Sequence, residues 1–269
     1  MDLHAHIAQG IEYLERPGTG GPTIMLLHGI GSQAQSFETA IRQLPEDWRV
    51  IAWNAPGYGR SEPLAQPCPV ALDYAEALQR LIQDLRLTKL VVAGHSLGSL
   101  VGAAYAATHR DRVSQLLLAS PALGHGMAPG TLSTAAQARI DDLHTQGPEA
   151  FAAARANRLV FRAEQAPELV ARVQQAMSQV TSPGYDAAVR MLASGRLLDD
   201  AVRLLVPTDV IVGAEDVVTP PDGARRVHAT LHAAARGRLT LVPGCGHALY
   251  QQCPAAFAGA LTEMMETAR

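Results

Sequence analysis

Short, nearly unbroken apolar runs at residues 23–27, 50–53, 90–93, 115–119, 209–212 and 238–242 alternate with longer stretches of helical periodicity. Strands buried on both faces read as continuous apolar runs, and their alternation with helices is the pattern of a parallel sheet with crossover helices. Residues 70–85 open after Pro69 and carry Leu72, Ala75, Leu78, Leu81, Ile82 and Leu85 at helical spacing. Residues 97–109 are rich in Gly and Ala, which lets a helix lie close against a sheet. Pro220 and Pro221 suit the first turn of a helix reaching about residue 230, and Pro254 starts a last one toward residue 265. After Pro121 the alternation stops. From residue 123 to 198 there is no convincing strand, only Ala/Arg/Gln-rich helical stretches broken by Gly147-Pro148, Pro167 and Pro183-Gly184. The expectation is a doubly wound, mostly parallel α/β core from residues 1–122 and 199–269, with residues 123–198 as a helical cap.

Composition narrows the partners. Of 269 residues, 48% are apolar and 17% charged, enough to bury a sizeable core and too apolar for a disordered chain. Lys and Arg number 22 against 25 Asp and Glu, with no cationic block, which argues against a nucleic-acid partner. No stretch reaches the ~20 apolar residues of a membrane span. The first ten residues lack a cationic start followed by an apolar run, so no secretory signal is expected. Cys68, Cys245 and Cys253 are too few and scattered for a disulfide framework or a zinc set. A soluble cytoplasmic protein without a metal is expected, its oligomeric state open.

The chemistry concentrates at Gly94-His95-Ser96-Leu97-Gly98, directly after the run Lys89-Leu90-Val91-Val92-Ala93 and before a helical stretch. A serine on a tight strand-to-helix turn, with glycine two residues to either side, exposes its hydroxyl. The same turn aims the following N–H and the helix N-terminus at the reacting centre. Its bland alternative is an ordinary Gly/Ser turn; strand before and helix after favour the functional reading.

Further blocks follow in order: Leu27-His28-Gly29-Ile30-Gly31, Pro56-Gly57-Tyr58-Gly59-Arg60-Ser61, Gly213-Ala214-Glu215-Asp216 and Gly246-His247. Together they resemble the α/β-hydrolase superfamily over nearly the whole chain. The resemblance implies a helical cap inserted after the sixth strand, no cofactor, and a catalytic triad of Ser96, Asp216 and His247. It also implies an oxyanion hole from the N–H groups of Ile30 and Leu97. The chemistry agrees, because serine needs a base and the imidazole needs a carboxylate to fix its tautomer. Asp216 is preferred over the neighbouring Glu215 for its spacing from Gly213 and the following Thr219-Pro220.

Among the other histidines, His4 and His6 are expected in a mobile N-terminus, His109 at a helix end, and His228 and His232 in solvent. His95 is expected to point away from Ser96. His28 is expected to shape the oxyanion loop and, with His125, is a candidate for substrate contact. Cys245 is read as a small apolar packing residue, and Asp199 and Asp200 as capping or ending a helix before the next strand. Asn54 and Gln252 depart from acidic residues common in the superfamily. Their expected effects are structural.

The closest look is to enol-lactone hydrolases and small esterases, which implies a small-molecule ester or lactone substrate. Carbon–carbon bond hydrolases of ring-cleavage products are the runner-up, since the Trp common after their histidine is Ala248 here. An acyltransferase or a ligand-binding protein on the same scaffold completes the alternatives. The cap carries Arg139, Arg155, Arg158, Arg162, Arg172, Arg190 and Arg196. Most should be solvated surface charge. Arg158 and Arg162, read as one helical turn apart beside Leu159, Val160 and Phe161, are the candidates for an anionic substrate group.

Overall fold

The computed structural model describes residues 3–267. Eight strands form one sheet: β1 (His4–Ala8), β2 (Ile11–Arg16), β3 (Thr23–Leu27), β4 (Arg49–Trp53), β5 (Leu90–His95), β6 (Val113–Ala119), β7 (Thr208–Gly213) and β8 (Arg236–Val242). Their spatial order is β1-β2-β4-β3-β5-β6-β7-β8, with the β1–β2 and β2–β4 pairings antiparallel and the other five parallel. The apolar runs at residues 23–27, 50–53, 90–93, 115–119, 209–212 and 238–242 lie in β3 to β8, and β3 and β5 are buried almost throughout.

The chain winds from β3 outward to β4, then crosses back to place β5 on the other side of β3. The strand order reverses there, and ligands of open α/β sheets collect outside the carboxyl ends at such a point. Helices α1 (Glu38–Ile41), α2 (Ala71–Asp84) and α3 (Leu97–Thr108) are shared between two faces. One face buries Phe37, Ile41, Phe257 and Leu261 against β3, β4 and β7; the other buries Leu78, Leu81, Leu100 and Tyr105.

Between β6 and β7 the insertion is helical, as expected. It holds α4 (Thr134–Ala153), 3₁₀ turns at Ala156–Leu159 and Ala163–Gln165, α5 (Pro167–Met177) and α6 (Gly184–Ser194); α7 (Leu197–Arg203) then leads back to the core, packing on α3. Gly147, at φ 77° and ψ 163°, leaves helical geometry, and with Pro148 it breaks α4 into two segments across a kink, as expected. Asp199 and Asp200 fall in the first turn of α7, where carboxylates favour the positive end of the helix dipole. The core then closes with α8 (Pro221–Thr230), α9 (Leu249–Gln252) and α10 (Pro254–Thr267).

The N-terminus corrects one expectation. His4 and His6 are not in a mobile segment but in β1, paired opposite Glu15 and Tyr13, and the His6 ring stacks on Tyr13 at 5.4 Å. β1 is an exposed edge strand and β2 is buried only at alternate positions, so neither produces a continuous apolar run. Gln9 and Gly10, both at positive φ, form the two-residue turn between them.

β2 ends in a buried arginine. Arg16 is 4% exposed and donates to the carbonyls of Ile41, Leu44, Pro45 and Trp48, gathering the chain that leaves α1. Arg16→Met strands these acceptors and is expected to lower unfolding free energy by about 3 kcal/mol or more. Glu15→Gln, which loses only a partly exposed pair with Arg49, is expected to cost about 1 kcal/mol or less. Urea unfolding of both variants checks this; equal midpoints would remove Arg16 from its structural role.

Candidate active site

The turn after β5 places Ser96 at φ 53° and ψ −115°, outside the relaxed regions for a residue with a Cβ. Glycine on both sides makes the turn possible. A Cβ on Gly94 would lie 2.3 Å from the Gly98 carbonyl oxygen, and one on Gly98 2.2 Å from that of Leu27. The Ser96 N–H donates to Ala119 and its carbonyl accepts from Ser99 and Ala122, so the strained residue is held from three directions.

His247, in the loop after β8, accepts from the Ser96 hydroxyl at Nε2 over 3.1 Å and donates from Nδ1 to Asp216 Oδ2 over 2.9 Å. Asp216, after β7, is 2% exposed. Its Oδ1 accepts from the N–H groups of Val218 and Thr219 at 2.8 and 2.9 Å. Burial pushes its pKa up, but hydrogen bonding and charge from His247, with those two amides, more than offset it and hold the carboxyl below its ordinary value. A carboxylate only accepts, so the Nδ1 proton is fixed and Nε2 is left free to take the serine proton. The neighbouring Glu215 does a different job, accepting the Cys245 N–H at 3.1 Å. Cys245 is buried in the apolar layer with Leu249 and Phe257.

Thr219 adds a contact that its sequence position alone did not reveal. Its hydroxyl lies 2.9 Å from Asp216 Oδ2, 3.1 Å from His247 Nδ1 and 2.9 Å from the Ser120 carbonyl. Asp216 makes an Asx turn, its Oδ1 capping the Val218 and Thr219 amides, which brings the Thr219 hydroxyl back onto Oδ2.

A cavity of about 740 Å³ opens over Ser96, lined by both core and insertion. Ile30, His125 and Arg158 line it, with Arg158 and His125 exposed at its edge. His28 does not. Its Nδ1–H donates to the Gly29 carbonyl at 2.8 Å and its Nε2 accepts from Ala55 at 3.0 Å, tying the β3 loop to the β4 loop. Leu97 is the first residue of α3, where the N–H has no intrahelical acceptor.

The structure separates the expected pair Arg158 and Arg162. The helical turn ends at Leu159 and Val160 is extended, so the four-residue spacing no longer puts both on one face. Arg162 is exposed, sits over the Phe161 ring and is not among the lining residues. Asn54 accepts from Ala34 and donates to Glu12, a bracing role. Gln252 bridges the histidine loop and the insertion, accepting from Gly246 and Phe161 and donating to the Phe161 carbonyl.

His95, beside the nucleophile, donates from Nε2 to the His247 carbonyl at 2.8 Å. Burial lowers its pKa to about 3, and burial lowers that of His28 to about 4, against an ordinary 6.5. Both rings are neutral when folded and titrate near 6.5 when unfolded, so the unfolded chain binds more protons between those values. Stability therefore falls as pH drops from about 6.5 toward 4. His95→Gln, which keeps a donor but cannot titrate, is expected to flatten that slope in urea unfolding measured across pH; an unchanged slope would contradict the assignment.

Comparison with known proteins places this geometry in a family. The family model described as alpha/beta hydrolase fold matches residues 22–252. A pimeloyl-[acyl-carrier protein] methyl ester esterase of Edwardsiella ictaluri is 30% identical over 93% of this chain and 95% of its own. A 3-oxoadipate enol-lactonase of Acinetobacter baylyi is 25% identical over 82% and 83%. The crystal structure of the enol-lactonase from Burkholderia xenovorans LB400 superposes with a TM-score of 0.84 at 22% identity, covering 98% of this chain and 100% of that one. With Ser96, His247 and Asp216 in a hydrogen-bonded line at the carboxyl ends of its strands, the chain belongs to the alpha/beta hydrolase fold family.

Proposed function

We propose that this chain hydrolyses small carboxylic esters or lactones through an acyl-enzyme on Ser96. The observation that carries the reading is the unbroken hydrogen-bond line from Asp216 through His247 to Ser96, ending in a cavity. His247 takes the serine proton as Oγ attacks the acyl carbon, and the N–H groups of Ile30 and Leu97 receive the oxyanion. The imidazolium then protonates the leaving oxygen. Water repeats the sequence on the acyl-enzyme, with His247 again as base and Ser96 as leaving group. Residues 123–198 act as the cap that walls the substrate.

The esterase and enol-lactonase names among the relatives support an ester or lactone carbonyl as the target. Cys68, Cys245 and Cys253 are free thiols, which suits a cytoplasmic setting. Among the described residues no helix is long and apolar enough to cross a membrane.

Ser96→Ala is expected to lower turnover of short esters by about 10⁵–10⁶-fold, and a fluorophosphonate is expected to label Ser96 alone. Retained turnover or labelling elsewhere ends the proposal; an ester product with added methanol in place of acid would make the chain a transferase.

Asp216→Asn is expected to cost about 10⁴-fold in kcat, since the imidazole is then held in the wrong tautomer. Glu215→Gln is expected to cost less than about tenfold. The reverse order would exchange their roles.

Thr219→Val keeps the packing and removes the hydroxyl that touches both Asp216 and His247. It is expected to lower kcat by about tenfold with KM unchanged, while Thr219→Ser retains activity. Equal kinetics for Thr219→Val and the parent would leave the hydroxyl without a part in positioning.

A further inference from the structure

The cavity over Ser96 has an uneven wall. Ile30, Leu159, Val173, Met177 and Leu192 make much of it apolar, whereas one face of α4 turns Ala135, Ala138, Arg139 and Asp142 toward it at helical spacing. Three arginines touch the cavity, at 139, 155 and 158, against the single lining carboxylate of Asp142. Their surroundings differ. Arg155 is neutralised: it pairs with Asp142, lies 3.9 Å over the Phe151 ring and donates to the Phe151 carbonyl. Arg158 is exposed at the edge and donates weakly to the Val217 carbonyl at 3.4 Å.

Arg139 is half-buried and has no carboxylate partner among the described residues. Its Nε donates to the Tyr185 hydroxyl and its Cζ stands 5.6 Å from the Tyr185 ring centroid. Tyr185 is fully buried and packed edge-on against Phe151 at 5.2 Å, so the guanidinium is held by a fixed support. With Nε engaged, the two terminal nitrogens remain to donate, and no acceptor in the described residues takes them. A cation partly withdrawn from water beside an apolar wall is stabilised by an anion, and a guanidinium favours a carboxylate through paired donors.

We propose that Arg139 anchors an anion subsite of this cavity and selects acyl groups that carry a free carboxylate: half-esters of small dicarboxylic acids, or lactones with an acid side chain. This deepens, and rests on, the ester or lactone reading of Ser96. Tyr185 is the residue that positions the guanidinium. Arg155, already paired, and Arg158, at the edge, are not the anchor.

The test compares monomethyl glutarate with methyl pentanoate, which match in length and differ in the terminal charge. Arg139→Met is expected to lower kcat/KM for monomethyl glutarate by about tenfold or more, chiefly through KM, and to leave methyl pentanoate within about twofold. Arg139→Lys is expected to fall between, because it keeps the charge and loses the paired donors. Arg158→Met is expected to leave the ratio of the two substrates unchanged. Equal losses on both esters in Arg139→Met, or a parent enzyme with no preference for the anion, overturn the subsite. A second readout does not depend on turnover. Glutarate is expected to slow labelling of Ser96 by a neutral fluorophosphonate in the parent and in Arg158→Met, but not in Arg139→Met. No protection in the parent, or equal protection in Arg139→Met, likewise overturns it. Protection by glutarate without hydrolysis of either ester would retain the subsite and overturn the hydrolase reading alone.

Discussion

A single strained residue sets the arrangement of everything around it. Ser96 at φ 53° and ψ −115° costs about 1–3 kcal/mol of local strain, which persists only where the surroundings over-determine it. Here they do. β5 runs between β3 and β6 in parallel register, Gly94 and Gly98 let the turn close against α3 and the end of β3, and the Ser96 N–H is held by Ala119. Replace either glycine with a residue that has a Cβ and backbone must move, because the blocking atoms at 2.2–2.3 Å are carbonyl oxygens and not flexible side-chain ends.

Around that turn the loops are fastened to one another by short hydrogen bonds instead of by regular structure. His95 holds the His247 carbonyl, the Ser32 hydroxyl meets that of Tyr250 at 2.7 Å, and Thr219 joins the acid loop to the Ser120 carbonyl. Each bond ties the carboxyl-end region of one strand to that of another, so the spacing of catalytic groups is inherited from the sheet. Dry packing completes the arrangement: burial keeps His28 and His95 neutral, so His28 braces the loops after β3 and β4, and His95 braces the histidine loop without adding a positive charge beside His247.

How much of this could be read from residues alone follows from the range of the interaction involved. β3 to β8 were legible because burial on both faces writes itself as unbroken apolar runs. β1 and β2 were not, because an exposed edge strand and a half-buried neighbour leave no such run, and Gln9-Gly10 is a less familiar turn pair than Asn-Gly. The triad geometry was legible because an elbow and two strand-end loops are local patterns. Thr219 was not, since its importance arises only where loops after β6, β7 and β8 meet. Arg162 joins Arg158 only on a helical spacing that stops at Leu159, while Arg139 depends on a tyrosine 46 residues away. Orientation imposed across the fold leaves no mark in a window of neighbouring residues.

The insertion is not a lid resting loosely on a finished core. The Leu159 carbonyl accepts the Ala248 N–H at 2.8 Å, directly after the catalytic histidine, and Gln252 grips both ends of the Phe161 peptide while also holding Gly246. Gly246 has no room for a side chain, since a Cβ there would meet the Phe161 nitrogen at 2.7 Å. The backbone of residues 159–161 is therefore part of the support that orients His247. Within the same insertion α4 supplies the wall that carries Arg139, on an element in contact with α5, α6 and the turn Ala156–Leu159. Substrate selection and placement of the base are thus built from one packed body, although they use different segments of it. Substitutions confined to the cavity face of α4 can alter what is admitted without moving the base, whereas changes at residues 159–161 act on both.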